Sequence, residues 1–162
     1  MNILTANSIL VSLLRDNIPN PASGTITPIW IYMSYPRPDV STPRISISHT
    51  GSIENHLGIG DQVEDPTYGI ETQATYDIDI WVPYKSSYTI NGTKRAGTEL
   101  RDYYSDEVRD LLLEKKEYLH TTYGFHNIEL IGNYEQPYVD EGGFHRKTLV
   151  YRISFITTWT PS

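Results

Sequence analysis

The chain has 162 residues, a formal net charge of −7, 38% hydrophobic and 20% charged residues, and no cysteine. This length suits one domain, 1–162, with room for a real core, and the composition excludes a disordered polyelectrolyte. The acidic balance excludes phosphate binding over the whole surface, and the lack of cysteine excludes disulfides, thiolate zinc sites and cysteine nucleophiles.

Residues 5–16 place Ala6, Ile9, Leu10, Leu13 and Leu14 at helical spacing, with Thr5 as the expected N-cap and "NIPNP" as the stop. The preceding residues show no basic n-region and no small-residue cleavage site, so no signal peptide is expected. "ITPIWIYMS" (26–34) reads as a strand that Pro28 confines to an edge or a strand start. "YPRPDVSTP" (35–43) reads as a stiff extended arm, and "RISIS" (44–48) as a short strand. Residues 49–69 contain four glycines and no sustained period, which predicts a long loop of the kind that partners order.

"IETQATYDIDIWVP" (70–83) is the clearest strand, with Ile70, Thr72, Ala74, Tyr76, Ile78, Ile80 and Val82 on one face. Its other face carries Glu71, Gln73, Thr75, Asp77, Asp79 and Trp81. "NGT" (91–93) is a glycosylation sequon by letter and is read here as a turn. A long helix is predicted over roughly 94–119, followed by strands at 127–138 and 144–159 joined by "DEGG". In the last strand Leu149, Tyr151, Ile153, Phe155 and Trp159 share a face opposite Arg146, Thr148, Arg152 and Ser154. The predicted fold is α+β: a mainly antiparallel or mixed sheet of about five strands, with the N-terminal helix and one long helix on one face, in the order α-β-β-β-α-β-β.

On the long helix Leu100, Tyr104, Val108, Leu111 and Leu112 form the core arc. Asp102, Asp106, Asp110 and Glu114 recur at intervals of four, a like-charge spacing that does not stabilise a helix. Arg101, Arg109 and Lys116 fall on the opposite flank of the exposed face. One negative and one positive flank suit head-to-tail packing between subunits; the alternative is a solvated helix with internal pairs such as Asp106–Arg109. Lys94 and Arg95 would sit at the positive end of the helix dipole, unless they lie in the preceding loop or meet an acidic partner.

Catalytic signals are sparse. The five histidines show no ligand spacing, and Asp61, Glu64 and Asp65 lack the EF-hand pattern. Asp77 and Asp79 lie about 7 Å apart on one strand face, a spacing open to a carboxylate pair. Cross-strand pairing with Arg146 or Arg152 is the preferred account. No metal or cofactor is expected, no membrane partner either, and the chain is not read as an enzyme.

The layout of a short N-terminal helix, a proline-rich passage, "TYDIDIWV", a long amphipathic helix and a terminal hairpin ending "HRKTLVYRISFITTW" resembles the tail terminator (tail completion) proteins of long-tailed bacteriophages and related tailed viruses. The resemblance covers most of the chain. It implies a homo-oligomer, a hexameric ring that caps the tail tube and joins it to the head-tail connector. It also implies residence in the virion neck after assembly in the host cytoplasm, with DNA passing through the lumen without specific binding. The alternatives are another neck or tail component, such as a head-tail stopper or tube protein, and a small metal-binding or hydrolase domain using Asp77 and Asp79. Under the ring reading the two helix flanks form subunit contacts, and Trp81 is covered by the chain itself or by a neighbour. Tyr35, Arg37, Asp39, His56, Asp61, Glu64 and Asp65, on the arm and the long loop, would meet the tail tube protein or an adjoining ring.

Overall fold

The structure is a computed structural model and describes residues 1–22, 30–33, 41–57, 62–64, 67–136 and 143–159. Helix α1 (Ile3–Asn17) starts one turn earlier than its apolar stripe requires, because Asn2 rather than Thr5 is the N-cap and its side chain accepts from the Thr5 backbone N–H at 2.9 Å. It buries Ala6, Leu10, Leu13 and Leu14 of the stripe read from the sequence, together with Val11, while Ile9 of that stripe is only half-buried.

Strands β1 (Ile31–Met33), β2 (Arg44–His56), β4 (Thr67–Pro83), β8 (Phe144–Trp159) and β7 (Phe125–Gln136) form a mixed sheet in the order β1-β2-β4-β8-β7. β1 runs parallel to β2 and the other pairs are antiparallel, while the short β3 (Gln62–Glu64) pairs with β4. The fold is therefore α+β, as expected. The expected 49–69 loop is corrected: β2 continues to His56 and β4 begins at Thr67. The reason is physical. Ser52, Ile53, Glu54, Asn55 and His56 are exposed on both faces of a sheet border, so the strand had no apolar alternation to betray it.

The long helix expected over 94–119 is also corrected. A separate hairpin, β5 (Ser87–Ile90) and β6 (Thr93–Ala96), precedes it. Asn91 and Gly92 make its two-residue turn with φ of 50° and 77°, the left-handed geometry that suits twisted hairpins. Lys94 and Arg95 therefore lie on a strand, not at a helix N-terminus. Gly97, with φ of 54° and His145 Nε2 only 3.4 Å from where a Cβ would stand, makes the corner into α2 (Gly97–Glu114). After a one-residue interruption at Lys115, α3 (Lys116–Tyr123) continues over β7 and buries Leu119 there.

All three helices cover one sheet face. Ala74, Tyr76, Ile78, Ile80 and Val82 of β4 meet Ile45 and Ile47 of β2 and Leu149, Tyr151, Ile153 and Phe155 of β8 on that side. Trp30 packs edge-on to Tyr104 at 5.0 Å, tying the start of β1 to α2. Burial pushes the Tyr76 phenol up to about 12, so it stays neutral in the core.

Candidate functional site

Among the described residues no helix lies on the second sheet face. Along β4 it presents Glu71, Gln73, Thr75 and Asp77, all half-buried, beside Ser48 of β2, Arg152 and Ser154 of β8, and Asn127 and Glu129 of β7. Glu129 stands directly opposite Arg152 in register. The face is polar and mixed in charge over most of its length.

At one end of it lies a closed polar cluster. Asp79 is fully buried, and its Oδ1 accepts from Arg146 Nε at 3.0 Å and from the Thr148 hydroxyl at 2.5 Å. The preferred sequence account, cross-strand pairing of this strand's acids with Arg146, holds for Asp79. The Arg146 guanidinium lies 4.4 Å from the Trp81 ring centroid, and Phe144 meets the same ring edge-on at 6.1 Å. Trp81 Nε1 donates to Ser46 Oγ at 2.9 Å. Trp81 is thus only 8% exposed and is covered by its own chain, so the subunit contact expected there has little surface left to use.

Asp77, two residues along, is not part of that cluster. Burial and the neighbouring Asp79 charge hold its carboxyl above the ordinary value of 3.8, against a smaller opposing pull from Arg146. The folded chain therefore keeps this proton to higher pH than the unfolded chain does. Stability is lost as pH rises from 3.8 through the raised value, and it stays lost above it. Asp77→Asn removes this loss. It is expected to raise the melting temperature relative to wild type at pH 7 and to leave it unchanged at pH 3; equal shifts at both pH values would refute the assignment.

The helix flanks are less free than the sequence spacing suggests. Arg101 is only 5% exposed, which corrects its placement on an exposed basic flank. It pairs with Asp102 at 2.9 Å and with Glu135 of β7 at 3.1 Å, while Lys147 of β8 reaches Asp102 at 3.2 Å. These residues fasten α2 to the sheet edge. Arg109 bridges Asp106 and Asp110, both at 3.1 Å, and Glu114 holds Lys115 at 2.7 Å. Lys116 is exposed at the start of α3. The internal pairing read as the alternative, Asp106–Arg109, is present, although exposed pairs of this kind contribute little to stability.

Sequence reasoning missed a groove between α1 and the α2–α3 junction. One part, about 340 Å³, is lined by Ile9, Leu13, Asp16, Lys115, Tyr118 and Tyr123 among others. The two tyrosine rings stand perpendicular at 5.7 Å, and the Tyr118 hydroxyl helps hold the Tyr123 phenol above its ordinary value. The adjoining part, about 290 Å³, carries Glu107, Asp110 and Glu114 opposite Asn17 and Ile18. No local signal marks it, because it exists only where two helices distant in sequence meet.

His56 is exposed on β2, and Glu64 lies on β3; Tyr35, Arg37, Asp39, Asp61 and Asp65 lie outside the described residues. Among the described residues no group of three potential ligands could hold a metal ion, and no helix is long and apolar enough to cross a membrane.

The fold defines the class to which the chain belongs: an α+β protein whose mixed sheet carries helices on one face and a polar second face. A scan of protein-family models finds no match, and a search of curated proteins finds none either.

Proposed function

We propose that this protein is a structural component of the head-tail junction of a tailed virus, forming a ring that caps the tail tube and joins it to the head-tail connector. The observation that carries this reading is the two-faced sheet. Its helix layer supplies an outer shell, and its polar face, where Glu71, Asp77 and Glu129 outnumber the exposed Arg152, suits a wall past which DNA moves without adhering. Both borders of the sheet also support lateral association. Among the described residues β7 pairs only with β8, and residues 51–56 of β2 pair only with β4. Heterologous contacts between unlike borders close into rings.

The carboxylate-pair reading is weaker. Asp79 is buried and committed to Arg146 and Thr148, whereas Asp77 stands opposite Val150 in register. A stopper or tube protein of the same neck remains the closest alternative, distinguished by which neighbour the ring binds.

Size-exclusion chromatography with light scattering and negative-stain imaging test the proposal. The expected result is a hexameric ring, free or formed on added tail tubes. A species that stays monomeric at high concentration and binds neither tube nor connector would overturn it.

A further inference from the structure

The chain is acidic as a whole, yet residues 84–98 contain Lys85, Lys94 and Arg95 and no acid. This stretch includes the β5–β6 hairpin. Arg95 is used internally, lying 4.5 Å over the Tyr103 ring and donating to the Ile90 carbonyl at 3.1 Å. Strand alternation then turns Lys94, with its cross-strand neighbour Thr89, to the other side, away from α2. Lys85 and Lys94 are both exposed and make no ion pair among the described residues.

The groove between α1 and the α2–α3 junction has the opposite character. Asp16, Glu107, Asp110 and Glu114 line it; among the described residues Glu114 is held by Lys115 and Asp110 by Arg109, which leaves Asp16 and Glu107 without a salt bridge. At its far end the perpendicular Tyr118 and Tyr123 rings, beside Asp16, offer aromatic faces to a cationic side chain. Within one copy Arg95 and Glu107 both lie beside Tyr103, at the near end of the groove, but Lys94 faces away from α2 and the far end stays out of the hairpin's reach. α2 rises about 1.5 Å per residue, which puts Glu114 about 27 Å along the axis from Ala96. A hairpin of four-residue strands spans only about 13 Å.

We infer that the basic β5–β6 hairpin of one copy docks in the acidic, tyrosine-ended groove of the next, making a head-to-tail contact between subunits. The inference rests on the ring reading and deepens it by naming, beside the two sheet borders, a further pair of surfaces that meet. It also accounts for Lys94 and Arg95: one is fixed to its own helix and the other is left for a neighbour.

A charge exchange tests it. One full-length variant carries Lys85→Glu and Lys94→Glu, and a second carries Asp110→Lys and Glu114→Lys. All four positions are on the surface, so circular dichroism should match wild type. Each variant alone is expected to lose assembly, with self-association weakened about tenfold or more. An equimolar mixture is expected to recover it. In the mixture the reversed hairpin meets the reversed groove, and the native hairpin meets the native groove, in alternation. Rings formed by both variants alone would overturn this contact and leave the ring reading standing, as would failure of the mixture to recover. A wild-type chain that is monomeric under all conditions would overturn both, and would assign the groove to a basic segment of another protein.

Discussion

Trp30→Ala is expected to cost about 3–5 kcal/mol of folding stability, the usual range for emptying a large aromatic site in a core. Trp30 is fully buried, and its ring meets Tyr104 at 5.0 Å where the short parallel strand β1 joins the helix layer. Domains of ordinary stability hold about 5–15 kcal/mol in total, so the variant should sit near its unfolding threshold. Trp30→Phe makes the necessary contrast. The indole N–H has no partner among the described residues, so phenylalanine removes a buried unsatisfied donor and keeps most of the ring contact. Its cost should be well under half that of alanine. Urea unfolding followed by far-ultraviolet circular dichroism at one fixed protein concentration would measure both, since assembly would otherwise shift the midpoint. A loss below about 1 kcal/mol for Trp30→Ala would show that the packing between β1 and α2 does not hold the fold as described.

Asp79→Ala is the second large effect, expected at about 3 kcal/mol at pH 7. The substitution strips the shared acceptor from Arg146 and Thr148 while leaving the Arg146 side chain only 22% exposed. A half-buried cation that loses its hydrogen-bonded carboxylate is costlier than the pair is beneficial, and the nearby Asp77 charge offsets only part of that loss. The figure lies at the lower end of that range because Arg146 keeps the Trp81 ring beneath it. Asp79→Asn should cost clearly less, since its remaining oxygen still accepts both hydrogen bonds. Equal losses for alanine and asparagine would mean that charge, not hydrogen bonding, governs the cluster. Tryptophan emission, measured against a Trp81→Phe control because the chain holds three tryptophans, offers a second readout: loosening Arg146 should admit water and move the Trp81 emission to longer wavelength.

These two sites differ in how far the sequence revealed them. The Asp79 cluster was nearly legible. Period-two alternation put Asp77, Asp79 and Trp81 on one face of a strand, and the same rule put Arg146 and Thr148 on one face of another. Opposite charges in adjacent strands made the pairing a natural expectation. The sequence did not say that the ion pair would select Asp79 over Asp77. That choice is a matter of register, with Asp79 opposite Thr148 and Asp77 opposite Val150.

The long helix shows the opposite case. Its acids repeat every four residues, and that spacing alone suggested two clean flanks. Arg101 instead pairs with Glu135, a residue more than thirty positions away, and Lys147, the cross-strand neighbour of Glu135, reaches Asp102. A helix wheel has no term for what a sheet edge will offer. The same holds for β2 beyond Thr50, where an exposed border leaves a real strand without the alternation that identifies one.

What the sequence by itself determined is the set of faces: the α1 stripe, the apolar sides of β4 and β8, and the α+β class they imply. Those follow from periods of 3.6 and 2.0, which are properties of the local backbone. What only the tertiary structure decided is which charges remain available. The hairpin lysines stay exposed, Arg101 is withdrawn, and the α1–α2 groove gathers Asp16, Glu107, Asp110 and Glu114 from two helices. Each depends on distances between segments far apart in the chain, and local periodicity carries no information about those.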